Sequence, residues 1–329
     1  MLREVEHINR HASGSIAISE QVTNPGTRDT YAISSLIEEA ITSSQLEGAV
    51  TSRRVAKEMI RTGRPPVDHS ERMIFNNYRA MQRVVELRHQ PLTPELILEV
   101  HRIVTEGTLD DPRSAGRIQD DDTLRVSVFG DGDQVLHRPP PVADLPDRMA
   151  ALCSFANDDS ATTYVPPALR AIMIHFMMGY DHYFEDGNGR TARAIFYWSM
   201  LRQGFWLTEF LTISRILKGA PAQYARSFLL TEQDDGDLTY FLQYHLEVIH
   251  RAIDELREHL DRKADELRAV QVEMRALPGE FNYRQLVLLE RAVKDPRRSS
   301  PPARTGRATA PRPRPRAKIS ARSRPGASC

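Results

Sequence analysis

Residues 182–193 constrain the fold of this chain more than any other segment, because they require a glycine-rich turn that opens a helix. They read His-Tyr-Phe-Glu-Asp-Gly-Asn-Gly-Arg-Thr-Ala-Arg. Gly187 and Gly189 lack a Cβ atom, so the backbone between them can take positive φ and bring N–H groups close to an anion. A helix that starts at these glycines adds the positive end of its dipole. The segment therefore predicts a phosphate-binding site between two helices.

The sequence on both sides of the segment predicts those two helices. Residues 168–178 follow Pro166-Pro167 and are apolar almost all round, which is typical of a buried helix that ends around Gly179. His175 lies alone on this apolar helix, so we expect a core histidine and assign it no role. After the glycines, apolar side chains recur at three-residue spacing up to a candidate C-terminal cap at Gly204. These side chains are Ile195, Trp198 and Leu201.

The remaining polar side chains of the segment suit nucleotide chemistry. His182 can take a proton near neutral pH. Asp186 is a hard oxygen ligand, suited to a Mg²⁺ ion that keeps most of its waters. Asn188 adds an amide donor, and Arg190 and Arg193 are three positions apart, so they project to one side of the predicted helix. Together these residue types are those that polyphosphate binding needs.

The segment resembles, without a gap, the His-x-Phe-x-[Asp/Glu]-Gly-Asn-Gly-Arg-x-x-Arg signature of the Fic family, whose members mostly transfer AMP from ATP to a protein hydroxyl. Tyr183 stands at a variable position where proline is usual. Walker A and dinucleotide-binding patterns do not fit the spacing. The resemblance implies a mainly α-helical Fic-type domain with a small β-hairpin flap over the active site. It also implies ATP, Mg²⁺ and a target protein with a Ser, Thr or Tyr hydroxyl, which this chain itself could supply.

The resemblance also assigns a role to each residue of the segment. His182 would deprotonate the target hydroxyl, and Asp186 would hold Mg²⁺ across the α- and β-phosphates. Phosphate oxygens would be bound by Gly187, Asn188, Gly189, Arg190 and Arg193. The alternatives are transfer of a phosphoryl or UMP group by the same site, and a non-catalytic regulatory binding protein.

A second resemblance lies near the N-terminus. The apolar spacing of residues 33–41 predicts an amphipathic helix, and it is followed by a segment similar to the [Ser/Thr]-x-x-x-Glu-[Gly/Asn] inhibitory motif of the Fic family. Ser43, Glu47 and Gly48 match that motif. The resemblance implies that Glu47 pairs with Arg193 and blocks the γ-phosphate of ATP, since an arginine offers carboxylates and phosphates the same bidentate fork. The alternative is an ordinary glutamate at a helix end. Ser34 to Glu38 and Ser35 to Glu39 have the same spacing but no following glycine.

A β-hairpin is predicted between the helical regions. Residues 125–129 and 134–137 are rich in β-formers and flank a glycine-aspartate turn at 130–133. In proteins similar to this one, such a hairpin aligns the target backbone as an added strand. The alternative is an exposed hairpin without a partner. Residues 120–122, three aspartates, are interpreted as a solvated acidic turn.

The amino-acid pattern changes twice in the C-terminal part of the chain. Residues 249–277 keep apolar positions at three- and four-residue steps, which predicts a long helix or helix pair that packs on the domain or forms a homodimer. We therefore divide the chain into an N-terminal helical region with the inhibitory helix at 1–68, a Fic catalytic core at 69–215, C-terminal helices at 216–278, a remnant of a winged-helix domain at 279–297, and a basic disordered tail at 298–329. The remnant is compatible with a lost reading frame.

Charge and composition exclude several classes of protein. Ten Lys or Arg residues lie between Arg297 and Arg324, and without them the net charge of zero becomes −10. An acidic body argues against nonspecific nucleic-acid binding by the core, while the tail is either solvated or an arm for an acidic partner. No apolar run is long enough for a membrane helix, and the N-terminus lacks a signal peptide, so we expect a cytoplasmic protein. Cys153 and Cys329 are too few for a disulfide framework or a cysteine-based zinc site.

Overall fold

The computed structural model of the protein describes residues 1–13, 25–125, 128–129, 135–157 and 164–275. These residues are mainly helical, as predicted. Among them, no helix is both long and apolar enough to cross a membrane. The α-helices are α1 (Leu2–Ala12), α2 (Pro25–Leu46), α3 (Arg53–Thr62), α4 (His69–Glu86), α5 (Pro94–Thr105), α6 (Leu145–Asn157), α7 (Pro167–Asp181), α8 (Asn188–Arg202), α9 (Ile213–Gly219), α10 (Pro221–Gln233) and α11 (Thr239–Arg275).

The two central helices, α7 and α8, pack closely against each other. Helix α7 opens with proline in its first turn, where the missing N–H costs nothing. It continues two residues beyond the predicted end at Gly179 and stops because His182 adopts a left-handed conformation, with φ of 49°. Helix α8 begins after Gly187, which has φ of 80°. These two left-handed residues lie at the beginning and the end of the loop that joins the helices.

The end of α8 follows the sequence prediction. Gly204 has φ of 88°, and the N–H of Phe205 donates to the Met200 carbonyl over 3.0 Å, which is the hydrogen bond of a Schellman cap. Within α8, Trp198 is fully buried and its indole N–H donates to the Leu87 carbonyl over 3.2 Å. The core expectation for His175 on α7 is confirmed, because this side chain is only 3% exposed. The central pair therefore forms the middle of the hydrophobic core.

Helices α2, α4 and α5 pack against α8. Helix α5 begins at a capped turn, in which the Thr93 hydroxyl accepts a hydrogen bond from the Leu96 N–H over 3.2 Å and Pro94 occupies the first turn. It ends at Thr105. Helix α5 brings His101 to the loop between α7 and α8, and the end of α2 brings Glu47.

Two short strands, β1 (Val128–Phe129) and β2 (Val135–His137), form an antiparallel pair. Val128 is opposite His137 and Phe129 is opposite Val135, with a register irregularity between the two pairs. Residues 130–134, which include the predicted glycine-aspartate turn, lie outside the described residues. A hairpin that acts as a flap therefore stays a prediction.

The C-terminal prediction of one long helix or a helix pair is resolved in favour of one helix, the 37-residue α11. Its first half packs back on the domain, where Ile249, Ile253 and Leu260 are buried. Helix α1 packs against the same half. Residues 276–329, which contain the predicted winged-helix remnant and basic tail, lie outside the described residues, and self-association stays a prediction.

Candidate active site

The loop between α7 and α8 is held by a half-buried arginine, Arg125, whose role the sequence analysis missed. Arg125 donates from Nη1 to the His182 carbonyl over 2.7 Å, and from Nη2 to the carbonyls of Asp181 and Pro140 over 2.9 Å and 2.8 Å. Charge-assisted hydrogen bonds of this kind are strong because the guanidinium fork is rigid. The backbone of His182 is therefore fixed, although its φ is unfavourable for a residue with a Cβ atom.

Tyr183 replaces the proline that is usual at its position, and its side chain is accommodated in the core. The ring is fully buried, and its hydroxyl donates to Asp181 Oδ2 over 2.6 Å. The other oxygen of Asp181 accepts from Arg148 over 2.6 Å. A buried hydroxyl with a charged acceptor is satisfied, so the substitution leaves the loop intact.

The His182 imidazole is partly buried, and this burial lowers its pKa. A hydrogen bond to the Gly179 carbonyl opposes the shift, whereas His137 and Arg125 add to it through like charge. The ring is therefore neutral near neutral pH. One nitrogen of a neutral imidazole carries the proton and the other accepts one, so His182 has the protonation state that a general base needs.

Asp186 lies at the exposed edge of the same loop, with 52% of its side chain accessible. Its Oδ1 accepts from the Gly187 N–H over 2.6 Å, and its Oδ2 accepts from Arg190 Nη2 over 3.1 Å. These bonds orient the carboxylate but leave lone pairs on both oxygens facing solvent. A single, half-exposed carboxylate fits Mg²⁺, which usually keeps several waters and takes one or two protein carboxylates.

Arg190 and Arg193, which the sequence places on one side of α8, have different surroundings. Arg190 is fully buried, and besides Asp186 it contacts the Val104 carbonyl, with 3.3 Å between Nη1 and the oxygen. Burial lowers the pKa of its guanidinium, while the charge of Asp186 counteracts that effect. In this structure Arg190 positions Asp186, and its expected contact with phosphate stays a prediction.

The Asn188 side chain differs from the expectation of a free amide donor. Its Nδ2 donates to the Phe184 carbonyl over 2.6 Å, and its Oδ1 accepts from the Phe184 N–H over 2.9 Å. Both ends of the amide therefore close the loop on itself. The backbone N–H groups at the start of α8 have no acceptor within the helix, so any anion would meet the backbone of Gly187, Asn188 and Gly189 rather than this amide.

His101 on α5 is a second residue that the sequence analysis missed. The Gly116 N–H donates to its Nδ1 over 2.9 Å, so Nε2 carries the proton and donates to the Asp186 carbonyl over 2.9 Å. The ring stacks on Phe184 with 3.7 Å between centroids. Burial lowers the pKa of His101 to about 4. A lone histidine on an apolar helix gives no local signal of such a contact.

The Ser43–Glu47 segment reaches the N-terminus of α8. Arg193 donates from Nε to the Ser43 hydroxyl over 2.8 Å and from Nη2 to the Ser43 carbonyl over 2.9 Å. Its Nη2 also lies 2.7 Å from Glu47 Oε1, in an ion pair whose arginine is only 4% exposed. A Cβ atom on Gly189 would collide with the Glu47 carboxylate, whose Cδ would be 2.9 Å away. The carboxylate therefore lies directly over the glycine-rich turn.

The local geometry explains why Glu47 reaches this position. Helix α2 ends at Leu46, and Gly48 takes φ of 91° directly after Glu47, so the chain turns away from the helix there. The two other glutamates with the same spacing have different partners. Glu38 pairs with Arg53 and Lys57, and Glu39 accepts from the Ser214 N–H over 3.0 Å.

Burial opposes a charge on Arg193, but Glu47 outweighs it, so the pKa of this guanidinium lies above its ordinary value. Arg193 is therefore a permanent cation at the bottom of the site, and its bound anion is a carboxylate of the protein. The structure brings together His182, Asp186, Gly189, Arg193 and Glu47, which are the residues that the sequence analysis expected to meet.

Known proteins are similar to this chain in the region that contains the loop. Residues 91–200 match the family model described as the Fic/DOC family. The chain is 28% identical to Protein adenylyltransferase fic-1 of Caenorhabditis elegans over 214 residues, which cover 62% of this chain and 38% of that protein. It is 34% identical to Protein adenylyltransferase fic-1 of Caenorhabditis briggsae over 119 residues, which cover 36% and 21%. The chain thus spans less than half the length of these relatives.

Solved structures show the same fold. A Fic family protein from Desulfovibrio desulfuricans superposes with a TM-score of 0.63 at 20% identity, and the alignment covers 87% of this chain and 82% of that one. Fic-1 from C. elegans superposes with a TM-score of 0.61 at 20% identity, covering 79% and 73%. The chain therefore has the fold of these Fic structures, and the region that matches the Fic/DOC family model, residues 91–200, contains the whole loop between α7 and α8.

Proposed function

We propose that this protein transfers AMP from ATP to a Ser, Thr or Tyr hydroxyl of a target protein. The observation that carries the proposal is the neutral His182 in the same rigid loop as a glycine-rich helix N-terminus and Arg193. The names of the relatives, which are protein adenylyltransferases, support it.

In the proposed reaction, His182 removes the proton of the target hydroxyl. The hydroxyl oxygen then forms a bond to the α-phosphorus of ATP while the bond from that phosphorus to the bridging oxygen breaks. Pyrophosphate leaves with the bonding electrons, and the proton stays on the imidazole until the product departs. The lowered pKa of His182 favours the neutral base before the reaction.

The leaving pyrophosphate carries most of the charge that develops, so the protein needs cations and N–H donors along the β- and γ-phosphates. The first N–H groups of α8 and the guanidinium of Arg193 supply them. Asp186 would hold Mg²⁺, with Arg190 and the Gly187 N–H fixing its carboxylate. When bound, Mg²⁺ neutralises phosphate charge as a Lewis acid.

We also propose that Glu47 inhibits the enzyme. The carboxylate takes up Arg193 and lies over Gly189, where a phosphate would need to approach the helix N-terminus. A carboxylate and a phosphate bind the same guanidinium fork, so each displaces the other. ATP would then bind without its γ-phosphate contact unless Glu47 moves.

The β1–β2 pair is proposed to act as the flap that orients the target. It is tied to the end of α7 by His137, whose Nε2 lies 2.8 Å from the Tyr180 carbonyl. An extended target segment would add to an edge of this pair through backbone hydrogen bonds. Such pairing specifies backbone position and leaves the modified hydroxyl next to His182.

The position of the transferred label tests the reaction. Purified protein is incubated with Mg²⁺, candidate targets and ATP that is labelled at either the α- or the γ-phosphate. We expect label on protein only from α-labelled ATP, and AMP on a hydroxyl by mass spectrometry. His182→Ala should lose transfer but retain ATP binding, because the backbone N–H groups remain. His89→Ala, which changes an exposed histidine outside the site, is the matched control.

Transfer from γ-labelled ATP alone would replace the proposal with a phosphoryl transfer. UMP transfer from labelled UTP in the absence of AMP transfer would indicate the other nucleotide. An active His182→Ala enzyme would exclude the proposed base, and a folded wild type that labels no protein even with Glu47 replaced would favour a non-catalytic binding protein.

A further inference from the structure

A cluster of metal-ligating side chains, none of which has a role in the proposed reaction, lies where α1 packs against α11. His7 on α1 faces His250 and Asp254 on α11, and one ligand atom from each lies within 4.8 Å of the other two. His250 and Asp254 are four apart, so they share one face of α11. The packing of α1 on α11 brings the third residue to them from the other end of the chain.

The distances between ligand atoms in the cluster are close to those in a metal site. His250 Nε2 lies 3.3 Å from Asp254 Oδ2, and ligand atoms around a tetrahedral zinc ion are also separated by about 3.3 Å. The His7 and His250 rings are 3.8 Å apart between centroids with an interplanar angle of 27°. Rotation of the two imidazoles about χ2 would direct their nitrogens to one point.

One imidazole nitrogen of His7 is available as a metal ligand. Its Nε2 is buried and has no hydrogen-bond partner among the described residues. His250 and Asp254 remain 38% and 49% exposed, which provides a path for an ion and for a water as the fourth ligand.

We propose that His7, His250 and Asp254 bind a divalent transition-metal ion of the zinc class, which fastens α1 to α11. Two imidazoles and one carboxylate suit Zn²⁺, whereas Mg²⁺ and Ca²⁺ prefer oxygen ligands alone. The nearest other candidate, His11, is in contact with Arg257 and is left out of the ligand set. The ion would add a cross-link to a contact that already includes the buried apolar side chains Val5 and Ile8 and the hydrogen bond between His11 and Arg257.

The test is metal binding by the full chain without an affinity tag. The background variant Cys329→Ser removes a thiol that could bind zinc, and Cys153 is buried. Excess Mg²⁺ satisfies the oxygen site at Asp186 and does not compete for imidazoles. Titration calorimetry with Zn²⁺ and visible absorption with Co²⁺ then report on the cluster. We expect one ion per chain, a Co²⁺ spectrum of a four-coordinate site, and a higher melting temperature with Zn²⁺.

His250→Ala and the isosteric Asp254→Asn should each weaken Zn²⁺ binding at least tenfold and abolish the shift in melting temperature. His89→Ala should bind as the background does. Both ligand positions are partly exposed, and circular dichroism without metal checks that the variants fold. The proposal would be overturned if the background protein did not bind Zn²⁺, or if His250→Ala and Asp254→Asn bound Zn²⁺ as tightly as the background protein does. Adenylylation activity does not enter the readout, so this result is independent of the proposed reaction.

Discussion

Two residues at the start of α8, Asn188 and Arg190, are bonded within the loop itself, whereas Arg193 pairs with the Glu47 carboxylate. Asn188 bonds both backbone groups of Phe184, and Arg190 bonds Asp186. A side-chain amide or guanidinium donates the same hydrogen bonds to a protein carbonyl as to a phosphate. The residue type alone therefore does not tell whether the side chain makes a structural contact or binds phosphate. At the residue scale, the backbone of the loop and Arg193 are the groups available for an anion.

Gly187 is the residue whose replacement should disturb the loop most. An alanine there would keep φ of 80° and put its Cβ atom 2.6 Å from Thr105 Cγ2. The left-handed conformation costs about 1–2 kcal/mol for a residue with a Cβ atom, and overpacking adds roughly 1–3 kcal/mol. We expect Gly187→Ala to lower the free energy of unfolding, measured by chemical denaturation, by more than the backbone term alone.

Gly204→Ala is the matched control, because Gly204 has φ of 88° and its Cβ atom would meet nothing within 4 Å. Its free energy of unfolding should fall only by the cost of the left-handed backbone conformation, because no collision is added. Equal losses in the two variants would mean that Thr105 moves aside freely and that the contact between α5 and the loop is not rigid.

Helix α2 is the element that presents Glu47 to the candidate active site. Buried hydrogen bonds fix it to its neighbours: Asn77 on α4 donates to the Ala40 carbonyl over 3.2 Å, and Glu39 accepts from the Ser214 N–H on α9. Ser44 donates to the Met73 carbonyl over 3.3 Å. Because the helix is held along its last turns, Glu47 is presented to Arg193 from a fixed support. In the proposed inhibition, relief therefore requires loss of the carboxylate contact rather than release of the helix.

Glu47→Gly should activate the enzyme. Glu47 is 28% exposed, and a charge-assisted pair of this kind contributes on the order of 1.5–3 kcal/mol. At a factor of ten for each 1.4 kcal/mol, its loss could raise productive ATP binding by about ten- to a hundredfold below saturation. Automodification with α-labelled ATP measures the effect.

Glu47→Gln, which keeps the side-chain length and removes the charge, should activate to an intermediate degree. Arg193→Ala should not activate, because it removes the phosphate contact together with the partner of Glu47. If folded Glu47→Gly protein is no faster than wild type, the ion pair is a structural contact only.

At the scale of the whole molecule, the core contains several histidines that are held neutral. Burial lowers the pKa of His101 and of His245 to about 4, and that of His175 well below its ordinary value. The unfolded chain binds a proton at each of them near pH 6.5. Glu39 has the opposite effect on the pH dependence of the free energy of unfolding, because burial raises the pKa of its carboxyl group.

A histidine with a lowered pKa contributes stability that is present above pH 6.5 and is lost as the pH falls toward 4. For His245, the free energy of unfolding that is lost over this pH range amounts to roughly 3 kcal/mol. We therefore expect His245→Leu to flatten the decline of unfolding free energy between these pH values, measured by denaturation at each pH. His89→Ala should keep the wild-type slope. An unchanged slope in His245→Leu would mean that His245 is protonated in the folded protein.

The local features of this protein could be predicted from its sequence. The central helices, the left-handed glycines at 187 and 204 and the choice of Glu47 over Glu38 and Glu39 all followed from periodicity, from the absence of a Cβ atom or from a motif. These properties depend on residues a few positions apart, so a sequence contains them directly. The helix end at His182 was missed, because the bonds of Arg125 that fix that turn come from a distant segment.

Only the tertiary structure revealed that His101 and Arg125 hold the active-site loop, that Arg190 is buried against Asp186, and that His7 lies beside His250. Each of these contacts except the short-range pair of Arg190 joins residues from separate helices or loops. Side-chain type limits what a residue can bind, but the packing of apolar helix faces determines which remote side chains become neighbours. For that reason the chemistry of the site was present in the sequence, and the division of its residues between holding the loop and binding an anion was decided by the fold.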